Sequence, residues 1–406
     1  MRIRTITGFY NPMLSNASQT LGTLTRLVQA ATSKYIDSGY DVQTTRMATN
    51  PFPYILPQGG IDHRIARIQE LESEINTRGF DYISFGPALP DFPDSYSQIP
   101  ELLSNTKNSF FSGVIASPGA GIHLDAVHKC GEIIAAAAKI TPDGFTNLRF
   151  SALANVSPFG PFFPGAYHQG DEPAFSLAIE SADLAINAFS EADSMEMARD
   201  RLLTSLEHHA SKLHAIAEEL SKEFGIDFKG MDFSLAPFPE DWCSLGGAIE
   251  QLGVQQIGLL GSVAAAAFVA DTLDRGKWLK AGFNGLMLPV LEDSILAQRT
   301  IDGTLSIKDL LLYSTVCGTG LDTVPLPGDA TAGQLSAILA DIAALSTRLN
   351  KPLTGRLMPV PGKTAGELTE FDFEFFKNGR ILELPAVELE RPLSGSESFM
   401  LSPRYK

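Results

Sequence analysis

Residues 61–87 read IDHRIARIQELESEINTRGFDYISFGP, and this stretch decides the fold class. Residues 61–78 are strongly charged, with apolar residues at helical spacing, which predicts an amphipathic helix. Residues 82–85 then predict a short β-strand, which ends at Gly86-Pro87. A helix that leads directly into a strand is the repeating unit of α/β architectures.

The same alternation extends on both sides of this stretch. In the first part of the chain, strands are predicted at 4–7, 41–47, 110–116 and 149–155, and helices at 18–38, 124–139 and 194–224. In the second part, strands are predicted at 231–235, 256–260, 286–290, 355–360 and 381–384, and helices at 244–252, 263–273, 306–313 and 332–349. The whole pattern indicates an α/β protein.

Composition limits the classes of protein and partner. A chain of 406 residues with 44% hydrophobic and 19% charged residues can bury a large core, which excludes a disordered protein. The net charge of −16, with no basic run to offset it, argues against nucleic-acid binding. Three cysteines without CxxC spacing do not make a disulfide framework. With no signal peptide or membrane span predicted, we expect a cytoplasmic protein without membrane contact.

A loop of small residues is predicted where strand 110–116 leads into helix 124–139. It contains Gly119, Gly121 and His123, and Asp125 follows in the first turn of the helix. Free backbone N–H groups and the helix dipole at such a loop favour an anionic ligand. The structural alternative is a tight loop with a favourable helix start, because Asp is common there and no nucleotide-binding motif is completed.

A second candidate is the Pro- and Phe-rich loop 158–165, which is followed by Tyr167 and His168. Asp171 and Glu172 lie close by in sequence. Such a loop can form a rigid pocket wall that excludes water. One imidazole and two carboxylates have the groups for general acid–base catalysis or for metal binding. The alternative is a rigid loop with a structural histidine.

Two further segments carry an isolated carboxylate and a thiol. Asp232 lies inside an apolar predicted strand, so it must be paired, hydrogen-bonded or facing a cavity. Cys317 stands in a turn with Gly318 and Gly320, and Asp322 follows it. A thiol in such a turn is accessible and can have a lowered pKa. The alternative for Cys317 is the role of a small buried apolar residue.

Several segments together resemble a bacterial and archaeal family described as pyruvate-formate-lyase-like, the domain of unknown function 711 family. The matching segments are RIRTIT (2–7), PGAYH (164–168), DFSLAP (232–237), CGTGLD (317–322), PGD (327–329) and PVPGK (359–363). The resemblance implies one domain over 1–406: a ten-stranded α/β barrel of the glycyl-radical-enzyme type with five-stranded halves, 1–226 and 227–406. The loops of such a barrel meet at one mouth, where a small-molecule site is expected.

The resemblance does not extend to radical chemistry. The context of a radical glycine is missing around Asn378-Gly379-Arg380, and there is no cysteine pair. Two departures add bulk near the expected site: Gln169 follows the histidine where the family tends to have Gly, and the Phe-rich stretch 371–376 replaces a Gly-rich one. They imply a different ligand from that of the relatives, or none.

The sequence therefore predicts a non-radical enzyme that acts on a small polar metabolite by acid–base or metal-assisted chemistry, hydrolysis included. His168 is the expected general acid–base, and the expected orienting carboxylates are Asp232, Asp322 and Glu172. The expected ligand-binding residues are Gly119, Gly121, His123, Asp125, Tyr167, Cys317, Gly318 and Gly320. A divalent metal is compatible with these residues, but no spacing requires one. The alternatives are a non-catalytic metabolite-binding or regulatory protein and an assembly role, and a homo-oligomer is left open.

Overall fold

The computed structural model describes residues 1–57 and 59–403. Its strands are β1 (Arg2–Tyr10), β2 (Val42–Thr49), β3 (Tyr82–Ala88), β4 (Ser109–Ser117), β5 (Gly121–His123), β6 (Phe150–Ala154), β7 (Ala174–Glu180), β8 (Asp227–Ala236), β9 (Gly320–Pro327), β10 (Leu353–Val360) and β11 (Ser398–Phe399). Its helices are α1 (Ala17–Asp37), α2 (Phe52–Ile55), α3 (Ile61–Thr77), α4 (Ile99–Ser104), α5 (Leu124–Ala137), α6 (Ala182–Ser190), α7 (Met195–Phe224), α8 (Leu245–Gln251), α9 (Ser262–Arg275), α10 (Ser294–Asp302), α11 (Ile307–Tyr313) and α12 (Ala332–Leu349). The α/β class is confirmed.

The strands form one large mixed sheet. Its order is β8-β7-β1-β2-β3-β4-β6-β10-β9, and β5 and β11 are attached beside β4. Strands β1, β2, β3, β4 and β6 run parallel to one another, as do β7 with β8 and β9 with β10. The two antiparallel joints are β1 with β7 and β6 with β10. Strands from both halves of the sequence therefore share one sheet.

The sheet of regular strands is open between β8 and β9. The segment 279–290 lies there and bonds to both: the backbone N–H of Met287 donates to Ser234 at 2.9 Å, and that of Val290 donates to Asp322 at 3.0 Å. Each contact includes an isolated parallel bridge. The segment is not a regular strand, because Gly282 and Asn284 both have positive φ angles. The predicted strand 286–290 and a barrel closed by regular strands are thus not observed.

The helices cover one face of the sheet. Helix α7 shows how the sequence encodes this packing: Ser194 caps its first turn by accepting a hydrogen bond from the backbone N–H of Met197, and Gly225 ends it with φ 66°. Its buried residues recur every three or four positions, from Ala198 to Leu220. The same periodicity allowed this helix to be predicted from the sequence.

The loop 156–170 lies against the other face of the sheet. Alternate residues of β1 and β3 point to it: Thr7 donates to the carbonyl of Pro161 at 3.0 Å, and Ser84 donates to that of Ala166 at 2.7 Å. Phe163 and Ala166 form a small apolar cluster there that is separate from the main core. The predicted Pro- and Phe-rich loop is therefore an interior element that divides the space beside the sheet.

Some secondary-structure predictions were wrong. Residues 256–260 form turns with an isolated bridge, since Gly258 adopts φ 106° and packs against the carbonyl of Thr304. Residues 381–384 are not a strand either, whereas β9 lies in a stretch for which no strand was predicted. Strand β7 was not predicted, because all its residues are buried and its two polar residues, Ser176 and Glu180, share their face with alanines, so no clear alternation of apolar and polar residues appears. In the described chain, no helix is long and apolar enough to cross a bilayer.

Candidate functional site

Two cavities flank the interior loop 156–170. The first measures about 250 Å³ and is lined by residues 162–165 of the loop together with five cationic side chains, and we call it the arginine cavity. The second measures about 470 Å³ and is lined by residues 167–170 together with His123, and we call it the histidine cavity. The loop thus forms a wall of both, and the predicted site residues are distributed between them.

The arginine cavity is positively charged although the protein as a whole is acidic. Its cationic lining residues are Arg4, Arg46, Lys107, Arg149 and Arg356. Among the described residues, two carboxylates line it, Glu292 and Asp322. In a protein of net charge −16, this local excess of positive charge is an electrostatic signature of anion binding.

Among the described lining residues, Arg46 is the buried cation with the fewest hydrogen-bond partners. It lies on β2, is 9% exposed, and its Nε donates to Thr44 at 3.0 Å. Its guanidinium lies over the rings of Tyr82 and Phe163, at 5.6 Å and 5.2 Å from their centroids. Burial, and then the neighbouring Arg4, lower its pKa to about 9, so it stays charged at pH 7. Among the described residues, no carboxylate forms an ion pair with it.

The two carboxylates of the cavity are held in an ion-pair network. Glu292 accepts from Arg356 at 2.8 Å and from Arg4 at 2.8 Å, and Asp322 pairs with the Nε of Arg356. Burial raises the pKa of Asp322, with Arg356 opposing the shift and Glu292 adding to it. Asp322 is thus a half-buried carboxyl with a raised pKa beside the cavity, which makes it a candidate for proton transfer.

The Phe-rich stretch 371–376 closes part of the arginine cavity. Phe373 and Phe375 line it, and the ring of Phe373 lies 4.9 Å from that of Phe145. The guanidinium of Arg4 lies 5.4 Å from the centroid of the Phe375 ring. These rings exclude water from the charged groups, which strengthens their electrostatic interactions.

His168 is the central residue of the histidine cavity. It is fully buried, and neither ring nitrogen has a hydrogen-bond partner. The rings of Phe9 and Phe159 lie beside it, with centroids at 6.5 Å and 5.4 Å. Burial lowers the pKa of His168 to about 4, so its imidazole is neutral at pH 7. Such a ring carries one free donor and one free acceptor.

Two other predicted residues line the same cavity. His123 is 9% exposed and bonds through both ring nitrogens, to Ser117 at 3.0 Å and to Ser398 of β11 at 2.8 Å. Tyr167 donates its hydroxyl to the carbonyl of Val156 at 2.9 Å. Both side chains are thereby fixed in place and form walls of the cavity.

We expect His168 to destabilise the protein on acidification. Its pKa falls from 6.5 to about 4 on folding, so the unfolded chain binds the proton first. Above pH 6.5 the buried imidazole is neutral in both states and costs nothing. As the pH falls toward 4, the free energy of unfolding should decrease by about 2–3 kcal/mol. Urea unfolding of wild type and His168→Phe at pH 7 and pH 4.5 measures this: the stability of wild type relative to the variant should fall. Equal pH slopes for the two proteins would contradict it.

Asp232 lies outside both cavities and holds a backbone turn. It is completely buried and accepts hydrogen bonds from the backbone N–H groups of Phe283 at 2.7 Å, Asn284 at 3.0 Å and Ser234 at 3.1 Å. Burial raises its pKa to about 6, against these hydrogen bonds. Gly282 passes so close that a Cβ there would lie 2.2 Å from the Asp232 carboxylate. Asp232 therefore shapes the segment 279–290.

The remaining predicted site residues do not line either cavity. Glu172 is exposed, and Asp125 pairs with Lys129 of the same helix at 2.8 Å. Cys317 is buried, so its thiol is not accessible. A Cβ on Gly320 would meet the Thr354 carbonyl at 2.3 Å.

Gly121, Gly318 and Gly119 complete the set of predicted residues. Gly121 leaves room for the Phe399 carbonyl, which a Cβ there would approach to 2.2 Å. Gly318 packs against Gly285, where a Cβ would meet the Gly318 nitrogen at 2.6 Å. Gly119 has a positive φ with open space around it. Across residues 1–57 and 59–403, no three His, Cys, Asp or Glu side chains converge as metal ligands.

The sequence reasoning missed most of the arginine cavity. Arg4 and Arg46 stand inside predicted strands, RTIT and DVQTTRM, where a charged residue has to face either water or a cavity. That was the available signal. Arg356 carried the same signal inside the predicted strand 355–360, whereas Glu292 carried none, because it meets Arg356 and Arg4 only through contacts between distant parts of the chain.

The fold and its cavities define an α/β protein with a mixed sheet and two polar interior pockets. The chain matches the family model described as "Uncharacterised ACR (DUF711)" over residues 1–377, and it belongs to that family. The family part of the resemblance is therefore confirmed, whereas a link to pyruvate formate-lyase is not shown by these matches.

The relatives carry the same family designation. A "UPF0210 protein" of Oenococcus oeni is 30% identical over 369 residues, which cover 85% of this chain and 80% of the relative. One of Acetivibrio thermocellus is 29% identical over 351 residues, covering 82% and 77%. One of Pyrobaculum aerophilum is 31% identical over 349 residues, covering 81% and 76%. These names state no substrate or reaction.

Proposed function

We propose that the protein is an enzyme that binds a small anionic metabolite in the arginine cavity, with Asp322 as the group that transfers a proton. The observation that carries the proposal is Arg46, a buried and charged guanidinium at the cavity that pairs with no carboxylate among the described residues. A buried charge is stable only when it is paired. A bound carboxylate or phosphate would be the missing partner, since both match the guanidinium fork.

The other groups of the cavity support the same class of ligand. Lys107 and Arg149 add positive charge, and the Phe373 and Phe375 rings offer apolar contact for a carbon skeleton. The volume of about 250 Å³ lies below the range of pockets for drug-sized ligands, which favours a small metabolite. The raised pKa of Asp322 provides the group for general acid–base catalysis.

A non-catalytic metabolite-binding protein is the second candidate. It is favoured by Arg356, which bonds both Asp322 and Glu292 as in a structural ion-pair network. One variant distinguishes the two candidate functions. Asp322→Asn should abolish turnover of a bound metabolite in an enzyme, and should leave the chemical fate of the ligand unchanged in a binding protein.

We also propose that the segment 279–290 acts as a tenth strand, which would complete a barrel with β1–β4, β6–β8, β9 and β10. Its hydrogen bonds to both β8 and β9 support this arrangement. Slow hydrogen exchange at the amides of Met287 and Val290 is the expected result.

We also propose a cytoplasmic location, because Cys130, Cys243 and Cys317 are all unpaired thiols.

Removal of the Arg46 charge should weaken anion binding selectively. A panel of small carboxylates and phosphates, each paired with its uncharged analogue, is first screened by thermal shift, and the affinities of the hits are measured by calorimetry. We expect the anions that bind to lose most of their stabilising effect in Arg46→Met. Arg46→Met should raise their Kd about 10- to 100-fold, whereas the surface control Arg26→Met should leave it unchanged. An unchanged Kd of the anions in Arg46→Met would refute anion binding at this cavity.

A further inference from the structure

The histidine cavity has hydrogen-bonding capacity that the protein itself does not use. His168 is fully buried beside it, with both ring nitrogens unpartnered, and the side-chain oxygen of Asn50 is likewise buried without a donor. Native proteins pair nearly all such groups, because an unpaired buried polar atom costs stability. His123, by contrast, uses both of its ring nitrogens in bonds to the protein. The hydrogen-bonding atoms without a partner in the protein therefore belong to His168 and Asn50.

The backbone position of His168 is fixed by a hydrogen bond. Its N–H donates to the carbonyl of Thr49 at 2.8 Å, immediately before Asn50 in the chain. The side-chain amide of Asn50 in turn donates to the carbonyl of Gly170 at 3.0 Å. The end of β2 and the end of the interior loop are thus joined by two hydrogen bonds, which hold the two unpartnered groups beside one cavity.

The charge of the lining distinguishes this cavity from the other one. Among the described residues that line it, none is Arg or Lys, and the only carboxylate is the exposed Asp91. The imidazole of His168 is neutral at pH 7. Tyr54, Leu89 and Val114 provide apolar and aromatic surface. The cavity therefore offers hydrogen bonds and apolar contact without a charge to bind an anion.

We propose that the histidine cavity is a second ligand site, distinct from the arginine cavity, that binds an uncharged organic molecule through hydroxyl or amide groups. Such a group supplies both a donor and an acceptor, as a neutral imidazole requires. An amide N–H or a hydroxyl also satisfies the free oxygen of Asn50. The site goes beyond the proposed function, since none of the anion-binding residues contributes to it.

The test uses matched pairs of probes that differ in charge. Nicotinamide and ribose are the uncharged amide and hydroxyl probes, and nicotinate and ribose 5-phosphate are their anionic counterparts. In the full chain with ¹⁵N-labelled histidine, NMR reports the ring nitrogens of His168 directly. At least one uncharged probe should shift them saturably, with its anionic counterpart at least tenfold weaker. Failure of both uncharged probes to shift His168, or equal binding of the anions, overturns the proposal.

Substitution of His168 separates a ligand site from a structural histidine. His168→Phe keeps an aromatic ring and removes both unpaired nitrogens, so it should raise the Tm at pH 7 and abolish binding of the probe. A lower Tm together with unchanged probe binding would overturn the proposal. Asn50→Ala is a second variant that leaves His168 intact, and it should weaken the probe at least fivefold. Arg46→Met should leave probe binding unchanged, which separates this result from the outcome of anion binding at the other cavity.

Discussion

Replacing Arg356 by methionine should lower the free energy of unfolding by about 3–5 kcal/mol at pH 7. The side chain is 8% exposed and bonds both Asp322 and Glu292. Methionine fills a similar length of the space but leaves Asp322 as a buried carboxylate without a cation. Removing one partner of a buried ion pair costs more stability than replacing both partners by apolar residues, because the remaining charge is desolvated and unpaired.

Controls make this prediction specific to the buried charge. Arg201 also forms an ion pair, with Glu191, but both side chains are largely exposed, so Arg201→Met should cost at most about 1 kcal/mol. Adding Asp322→Asn and Glu292→Gln to Arg356→Met should restore much of the lost stability. Chemical unfolding measures all three variants, and equal losses for the Arg356 and Arg201 variants would rule out the ion-pair argument.

Replacing Asp232 by alanine should cost about 3–5 kcal/mol of unfolding free energy. The carboxylate accepts the backbone N–H groups of Phe283, Asn284 and Ser234, all within the interior. Alanine leaves these donors without an acceptor and opens a space beside the segment 279–290. Because this segment bonds to both β8 and β9, the hydrogen-exchange protection of its amides should fall with the stability.

The same strand supplies a matched control. Asp227 begins β8, is exposed and pairs only with Lys229, so Asp227→Ala should change the stability by no more than about 0.5 kcal/mol. Asp232→Asn keeps one acceptor oxygen, so its loss of stability should lie between the losses of Asp232→Ala and Asp227→Ala. If Asp232→Ala were as stable as Asp227→Ala, the role of Asp232 in holding the turn would be wrong.

The sequence predicted the elements that local periodicity determines. Helix α7 follows from the spacing of its apolar residues and from caps at its ends, whereas strand β1 was predicted from the β-branched residues of 4–7 and extends from Arg2 to Tyr10. The segment 279–290 could not be predicted, because its conformation depends on Asp232, which lies about fifty residues earlier in the chain. Strand β7 is buried over its whole length, so the alternation that identifies a half-exposed strand is missing.

The candidate site was predictable to a similar extent. His168 and Tyr167 were found because a Pro- and Phe-rich loop marks a rigid wall, and Asp232 was recognised as a carboxylate that needs partners. The partners themselves were not predictable, since Asp322 meets Arg356 and Arg4 meets Glu292 only after the sheet has formed. Periodicity shows which face of a strand is buried, but not whether that face meets a core or a cavity.

The position of β1 in the sheet has a consequence for how the chain folds. It leaves the ribosome before the other described strands, yet it lies between β2 and β7, whose partner residues extend to Glu180. One edge of β1 therefore stays open until β7 has been synthesised. Strands β6 and β10 pair across about two hundred residues. Such a high contact order predicts slow folding, with β1 as the segment most exposed to aggregation in the nascent chain.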